Sequence, residues 1–329
     1  MIRSLYYTQD GHIHTDLAVE DFQSALLDTH SLLWVDFQGN PPEEDEPILR
    51  KIFDFHPLAI DDALQESHVP KLDDWGNYLY VVLHSVNFNV TESDRIETLE
   101  LDVFLGQNYM ITHHDQSIQA VDRAWSMVQR DERHLKNGAD HLFYRLTDEV
   151  VASYMPVIEK LDDEIDIVEN RVFQKADPQT VEIIFLLKRA VLRLRRVIGP
   201  QREVLNKLAR DDFAVIDPQA QVYFRDVYDH LVRLYDLSEN IRDLVGGTLD
   251  IYLSVINNRM NDIMKTLTVI TVLFAPLTFI TGFFGMNFFA ASITFQTWTH
   301  RPAFILAILF MVVVPAGMFL WVRRRGWMK

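Results

Sequence analysis

The chain has 329 residues, of which 47 are acidic and 31 are basic, so its formal net charge is −16. All of the acids lie before Thr266, and the segment from there to Lys329 contains basic residues but no acid. An acidic surface repels phosphate backbones and attracts cations, so the composition excludes a nucleic-acid-binding role. The absence of cysteine also excludes disulfides and thiolate zinc sites.

Residues 1–135 are predicted to form a cytoplasmic α/β domain. Short segments rich in β-branched and aromatic residues predict strands at 31–37, 78–83, 99–105 and 109–112. Apolar periodicity predicts helices near 18–28, 43–54 and 117–131. Residues 136–218 show long helical periodicity with few breakers, which predicts a helical bundle in the same cytoplasmic part.

The segment 219–265 is predicted to form a stalk helix. Its apolar residues step by three and four, which is typical of a heptad seam that packs against like helices. The predicted seam is Leu234, Leu237, Ile241, Leu244, Thr248, Ile251 and Val255. A helix that continues into the following apolar segment would have about 65 residues and a length of roughly 100 Å. Two helices broken at Gly246-Gly247 are the alternative, because glycine often ends a helix.

Two uncharged segments, 266–284 and 302–322, are long enough to cross a bilayer as helices, which takes about 20 apolar residues. The basic residues that flank them are Arg259, Lys265, Arg323, Arg324 and Arg325. Because basic flanks stay in the cytoplasm, both termini are expected there, with the loop 285–301 outside and a basic cytoplasmic tail at 323–329. A buried hairpin in a soluble protein is the alternative.

One face of the first apolar segment is polar or small at most positions. We call this face the polar stripe, and it consists of Asn261, Met264, Thr268, Thr271, Ala275, Thr278 and Gly282. Polar residues inside a membrane face protein or water, which favours a pore lining. Close helix packing through small residues is the alternative. Two spans in one chain cannot enclose a pore, so the pore interpretation requires an oligomer.

The tripeptide Gly285-Met286-Asn287 closes the first apolar segment, and a short loop, a second apolar segment and a basic tail follow it. The segments that accompany this motif are 223–230, 264–268, 276–282 and 323–327. With these features the chain resembles the CorA-like divalent metal ion transporters. The resemblance covers nearly the whole chain and is strongest over 220–329.

The resemblance implies a funnel-shaped homopentamer in the inner membrane of the cell. Each chain would supply an α/β N-terminal cytoplasmic domain, a long-helix stalk and two transmembrane helices, the first of which lines the pore. The implied cargo is hydrated Mg²⁺, with Co²⁺ and Ni²⁺ as further candidates. The implied partners are the lipid bilayer and divalent cations, and neither an organic cofactor nor an enzymatic activity is expected.

The resemblance also implies roles for individual pore residues. Because Mg²⁺ releases its waters reluctantly, neutral oxygens that hydrogen-bond to those waters suit its passage. The implied selectivity and pore residues are Gly285, Met286, Asn287, Thr278, Thr271, Ala275 and Asn261. Met264 and Leu267 are similar to the family's cytoplasmic hydrophobic gate, where an apolar ring stops ions by dewetting.

Three positions depart from the family pattern. Ala275 stands where a larger methionine is common, and the acid-free loop 288–299 stands where many members carry acids. Asp226 resembles one acid of a regulatory Mg²⁺ site between subunits, but the expected partner acid corresponds to the uncharged Asn89. These departures leave open a zinc-transporting branch of the family, or a non-conducting membrane homologue with a regulatory or scaffolding role.

Other groups carry weaker signals. His12 and His14 with Asp16, and the run His113-His114-Asp115, are candidate metal ligands, although exposed histidines beside turns are the simpler expectation. The acidic residues between 162 and 169 predict a solvated helix face. No phosphate-binding loop or zinc-protease motif occurs in the sequence.

Overall fold

The computed structural model of the chain describes residues 1–65, 69–88, 96–174, 176–285 and 301–324. Contacts between residues divide the chain into two compact units, Met1–Leu249 and Asp250–Lys329. The first unit contains a β-sheet with helices packed on both faces, and the second contains the apolar part of the chain.

Within the described residues of the first unit, seven strands form one mixed sheet. In chain order they are β1 (Ile2–Tyr7), β2 (Ile13–Thr15), β3 (Leu32–Gln38), β4 (Lys71–Asp74), β5 (Leu79–Phe88), β6 (Ile96–Leu105) and β7 (Tyr109–His114). Their spatial order is β2-β1-β3-β7-β6-β5-β4. Strands β3 and β7 are parallel, and all other neighbouring strands are antiparallel.

Strand β3 is buried on both faces because helices cover the sheet on both sides. Its side chains alternate between the two helical layers. One layer consists of α1 (Phe22–Leu27), α2 (Pro42–Lys51) and α3 (Pro57–Leu64). Leu33, Val35 and Phe37 of β3 belong to the hydrophobic core on this side, and Phe55 stacks on Phe104 at its centre with ring centroids 4.2 Å apart.

The second layer covers the opposite face of the sheet. It consists of α4 (Gln119–Arg130), α5 (Arg133–Lys136), α6 (Ala139–Ala152), α7 (Tyr154–Gln174) and α8 (Pro178–Arg210). Trp34 of β3 packs against Trp125 of α4, with ring centroids 4.7 Å apart. The Tyr154 hydroxyl donates a hydrogen bond to the carbonyl of His84 at 2.8 Å, which ties α7 to β5.

Local sequence explains where two helices begin. Helix α3 starts at Pro57, whose fixed φ suits a first helical turn, and Nδ1 of the preceding His56 accepts a hydrogen bond from the Leu58 amide at 3.2 Å. Helix α8 starts at Pro178 in the same way, and the Asp177 carboxylate accepts from the Thr180 amide at 2.9 Å. Each start combines proline with a side chain that satisfies a free amide.

The four predicted strands correspond to β3, β5, β6 and β7 and are confirmed. The three predicted helices of the first 135 residues correspond to α1, α2 and α4. Strands β1, β2 and β4 were not predicted. Strands β2 and β4 lie at the two edges of the sheet and carry exposed or charged residues, and β1 lies inside the sheet but has only two buried residues. Edge strands lack the apolar alternation on which the prediction depended.

A helix of 65 residues, α9, runs from Gln221 to Gly285 without interruption. The prediction of one long helix is therefore confirmed, and the alternative break at Gly246-Gly247 is not found. A Cβ added at either glycine would meet no atom of the described chain within 4 Å, so close packing does not require them. Helix α10 covers Arg301–Arg324 in the second unit.

The predicted seam of α9 is correct at alternate positions. Leu234, Ile241 and Thr248 are buried, but Leu237 and Leu244 are 37% and 46% exposed. Both leucines face away from the seam that is buried within the chain, so their packing against like helices stays a prediction.

The buried seam instead includes Ser238 and Val245. It consists of Phe224, Val227, Leu231, Leu234, Ser238, Ile241, Val245 and Thr248. The Ser238 hydroxyl donates to the Tyr235 carbonyl at 2.7 Å, so this side chain is buried without an unpaired donor. This buried seam has the same heptad spacing as the predicted one.

Candidate functional site

The polar stripe lies on one exposed face of α9. Within the second unit all of its members, Asn261, Met264, Thr268, Thr271, Ala275, Thr278 and Gly282, are exposed in the single chain. No other part of the described chain covers the hydroxyl groups of this face.

A second, less exposed stripe of α9 consists of Val269, Leu273, Pro276, Leu277 and Ile280. At about 100° per residue, its centre lies about 160° around the helix from the centre of the polar stripe. The two stripes thus occupy opposite faces. The apolar stripe is partly covered within the chain, with Val269 buried, and the polar stripe remains open.

The threonine hydroxyls of the polar stripe are oriented by the helix itself. Oγ1 of Thr271 donates to the Leu267 carbonyl at 2.9 Å, and Oγ1 of Thr278 donates to the Phe274 carbonyl at 3.0 Å. Thr268 makes the same bond to the Met264 carbonyl at 2.8 Å. Because each hydroxyl proton is already used, the oxygen presents only its lone pairs outward, and it can accept hydrogen bonds from the waters of a hydrated cation.

Apolar side chains occupy the inner part of the same face. Met264 and Leu267 are 55% and 56% exposed in the single chain, directly beyond the exposed Asn261. The nearby charges lie on another face, where the Lys265 ammonium contacts the Asp262 carboxylate at 3.1 Å. The face with the threonines therefore carries no formal charge.

The outer end of the predicted pore is described only as far as the end of α9. Gly285 is the last residue of α9. Met286, Asn287 and Asn89 lie outside the described residues.

Asp226 is exposed on the first part of α9. Among the described residues it forms no ion pair with Arg225, and its exposure is also that of a solvated acid on a helix surface. The described part of the single chain also contains no group of three or more acidic or histidine residues that could hold a metal ion.

Sequence reasoning missed a pair of buried polar clusters at the end of β7. His113 and His114 were expected to be exposed, but they are 4% and 3% exposed. Because they are consecutive in a strand, they face opposite layers of the sheet. The correction has a physical reason, since their partners Asp36, Asp45 and Asp102 come from distant parts of the chain.

On the α4 side, the carboxylate of Asp36 is the centre of the first cluster. It accepts a hydrogen bond from Arg3 Nε at 2.8 Å, lies 3.2 Å from His114 Nε2, and accepts from the Thr112 hydroxyl. Burial opposes ionisation, but His114, Thr112 and Arg3 together outweigh it and lower the pKa of Asp36. This side chain is therefore a fully buried anion with three partners.

On the α2 side, His113 lies between two buried carboxylates. Its Nε2 is 3.6 Å from Oδ2 of Asp45, and its Nδ1 is 3.8 Å from Oδ2 of Asp102. The Tyr80 hydroxyl donates to the other oxygen of Asp102 at 2.6 Å. Burial raises the pKa of Asp102 to about 6. Burial alone would lower the pKa of His113, but Asp102, Asp45 and Asp115 outweigh it and raise it.

This second cluster makes stability depend on pH. The folded cluster binds protons more tightly than the unfolded chain, so its contribution is present below the unfolded histidine pKa of about 6.5 and is lost as the pH rises through the folded value. The thermal midpoint of the detergent-solubilised chain, followed by tryptophan fluorescence, should therefore fall as the pH rises above about 6.5.

The matched variants are His113→Gln, which should flatten this slope, and His141→Gln, which should leave it unchanged. Burial, with a contribution from His134, lowers the pKa of His141, so its effect has the opposite sign and lies below about pH 6.5. An unchanged slope in His113→Gln would contradict the assignment.

Within the described residues, α9 contains a stretch that is long and apolar enough to cross a membrane, and little of this stretch is buried. An α/β unit followed along one helix by an apolar segment with an open polar face defines a class of membrane protein built on a long helix. The comparisons with known proteins specify that class further.

The model of the family described as CorA-like Mg²⁺ transporter protein matches residues 29–324, so the chain belongs to this family of membrane transporters. The cobalt/magnesium transport protein CorA of Thermotoga maritima is 32% identical over 311 residues, which cover 94% of this chain and 87% of that protein. The zinc transport protein ZntB of Yersinia pseudotuberculosis is 24% identical over 276 residues, which cover 83% of this chain and 81% of that protein.

A solved structure supports the fold. The CorA magnesium transporter from Methanocaldococcus jannaschii superposes with a TM-score of 0.85 at 24% identity and covers 100% of this chain and 99% of that chain. The sheet-containing N-terminal domain and the long helix are therefore features of the family's fold.

Proposed function

We propose that the chain conducts hydrated divalent cations across a membrane, with Mg²⁺ as the principal cargo and Co²⁺ and Ni²⁺ as further cargo. The observation that carries the proposal is the open polar stripe of α9, whose threonine oxygens are oriented as acceptors. The cobalt and magnesium named for the Thermotoga relative support the choice of ion.

The pore requires several copies, and we propose the homopentamer of the resemblance. Residues 266–284 and 302–322 would be the two transmembrane helices, with 285–301 outside and both termini in the cytoplasm of an inner membrane. Residues 1–135 and 136–218 would form the cytoplasmic domain, 219–265 the stalk and 323–329 the basic tail. The basic residues beside the two spans, among them Lys265 and Arg323, support this orientation.

Along such a pore, hydrated Mg²⁺ would meet neutral oxygens in succession. Asn287 and the Gly285 carbonyl, next to Met286, would receive the ion at the outer end, and Thr278 and Thr271 would accept hydrogen bonds from its waters further in. Neutral groups bind the ion weakly enough to release it. No step requires the ion to lose its tightly held waters.

The inner end would regulate passage. Met264 and Leu267 would close as an apolar ring, with Asn261 on its inner side. Ala275 would leave a wider ring than a larger side chain, because its single methyl group reaches less far toward the axis. Asp226 would contribute to a regulatory Mg²⁺ site between subunits, in which removal of the metal leaves carboxylates that repel one another.

A zinc-transporting function is the second candidate, and the acid-free loop 288–299 leaves it open because it weakens the specific case for Mg²⁺ uptake. Such a loop cannot concentrate cations as an acidic loop can. The zinc transport protein among the relatives shows that the family includes this cargo. A non-conducting regulatory or scaffolding homologue is the outcome if neither ion passes.

The test is metal flux into liposomes that contain the purified chain, with dyes for Mg²⁺ and Zn²⁺ loaded separately. Thr271→Val keeps the shape of the side chain and removes the acceptor oxygen, so flux should fall about tenfold, the equivalent of one hydrogen bond of about 1.4 kcal/mol. A ring of copies would lose this oxygen in every subunit.

The matched control is Thr266→Val. Its hydroxyl donates to the Asp262 carbonyl at 2.9 Å, as in the stripe, but it lies about 160° around the helix from the centre of the stripe. Flux through this variant should equal that of the wild type. Equal losses in both variants would show that the effect is structural, and no flux of either metal in the wild type would leave the regulatory role.

A further inference from the structure

Helices α7 and α8 form an antiparallel hairpin in the first unit, and each presents an outward face of mixed apolar and charged residues. On α7 we call this face the acidic stripe, which consists of Met155, Glu159, Asp162, Asp166 and Phe173. On α8 we call it the basic stripe, which consists of Phe185, Lys188, Arg189, Leu192 and Arg196. All ten residues are exposed in the single chain.

The apolar members of these stripes are large and open to solvent. Phe173 is 65% exposed and Phe185 46% exposed. On each helix the stripe faces away from the buried seam between α7 and α8, which includes Leu161 and Leu187. Exposed phenylalanine and leucine rimmed by charge are typical of a surface that another molecule covers.

The charges of the two stripes have no partners within the described part of the chain. No ion pair involves their three acids or their three bases. Two other bases of α8 have partners: Arg195 pairs with Glu239 of α9, and Arg202 contacts Glu203. The exposed Lys207 and Arg210 near the end of α8 form no ion pair among the described residues, as in the basic stripe.

The two stripes also lie at matching heights. Nη2 of Arg171 on α7 donates to Oε1 of Gln179 on α8 at 3.2 Å, which fixes the level of the two antiparallel helices near their turn. Asp162 and Lys188 lie equal numbers of residues away from this contact, so they stand at one level. Counted in residues from the same contact, Glu159 on α7 is level with the part of α8 between Arg189 and Leu192.

We propose that the acidic stripe of one copy of the chain docks against the basic stripe of the next copy. Rotation about the axis of a closed ring leaves the height of a residue along that axis unchanged. If the hairpins run along the axis, acids and bases at the same level of the hairpin therefore meet between neighbouring copies. The partner is a second copy of this chain, chosen because its charges are complementary in sign and in level. The inference rests on the proposed homo-oligomer.

The absence of cysteine in the chain allows a direct test by cross-linking. The full chain carrying Asp162→Cys together with Lys188→Cys, in liposomes, should give a ladder of covalent oligomers with a short bis-maleimide. Either cysteine alone should give no species above a dimer. A link within one chain does not raise its mass, so every band of the ladder above the single chain reports a link between copies.

Charge reversal then tests the complementarity. In the same cysteine background, Arg189→Glu should lower the cross-linked yield at least fivefold, and Glu159→Arg added to it should restore the yield to within twofold of the parent. Glu20→Arg, an exposed acid outside the hairpin, should leave the yield unchanged. Raising the salt to about 0.5 M should lower the parent yield, because salt screens exposed charges.

The outcomes separate this proposal from the proposed function. Cross-linking that is absent from a chain whose native mass is that of an oligomer would overturn the docking while leaving the pore intact. A chain that conducts no metal but still forms the ladder would overturn the transport and keep the docking. Loss of cross-linking in Arg189→Glu without rescue would show that the basic stripe binds something else, and would overturn the proposal.

Discussion

Replacing Asn287 with alanine should reduce metal flux into liposomes by at least about tenfold, to the level of vesicles without protein. The amide both accepts and donates hydrogen bonds without a charge, so a ring of such groups can hold the waters of an ion and still release them. Alanine removes every one of these contacts at the outer end of the proposed pore. The measurement is the initial rate of dye response after addition of Mg²⁺ or Zn²⁺.

Two variants make the Asn287 result specific. Asn258→Ala removes an amide from an exposed position of α9 away from the polar stripe, and its flux should equal that of the wild type. Asn287→Asp keeps the shape and adds a charge, so the ion should bind more tightly and pass more slowly. Wild-type flux in Asn287→Ala would exclude this residue from the conduction path, whatever the cargo.

Replacing Asp36 with alanine should lower the free energy of unfolding by about 3–5 kcal/mol. The carboxylate is completely buried, and its removal leaves Arg3, His114 and Thr112 without the group that they share. An uncompensated charge in a buried position is among the most destabilising changes in a protein. The thermal midpoint of the detergent-solubilised chain should fall by roughly 10 °C.

Asp122→Ala is the matched control because it removes the other carboxylate that contacts Arg3. Arg3 Nη2 lies 2.9 Å from Oδ1 of Asp122, but the side chain of Asp122 is 46% exposed. An exposed ion pair contributes at most about 1 kcal/mol, so the midpoint should move by only a few degrees. Equal losses in both variants would contradict the role assigned to burial.

The sheet and the long helix were largely predictable, because each depends on patterns that are local in the sequence. Strands β3 and β5 are dense in apolar and aromatic residues, and α9 has no proline before Pro276. The polar stripe followed from the same periodicity. The helical spacing alone predicted that its threonines share a face, and the structure adds where their hydroxyl protons point.

The buried ion clusters were not predictable, because their members meet only after the sheet has formed. Asp36 lies beside Thr112 through the parallel pairing of β3 and β7, and Asp102 lies beside His113 through the antiparallel pairing of β6 and β7. A run of two histidines and an aspartate looks like an exposed turn in the sequence. The seam of α9 that is buried within the chain was not predicted either, because it includes Ser238, whose hydroxyl bond to the Tyr235 carbonyl no apolar pattern reveals.

The threonine bonds to the α9 backbone have a mechanical consequence. A hydroxyl that shares a carbonyl with the helix weakens the helical bond at that turn and favours bending. Thr268, Thr271 and Thr278 do this within the same apolar segment that contains Pro276, which has no amide hydrogen to donate. The segment is consequently more elastic than a leucine-rich helix of equal length, so its curvature can change at low cost while the helix remains wound.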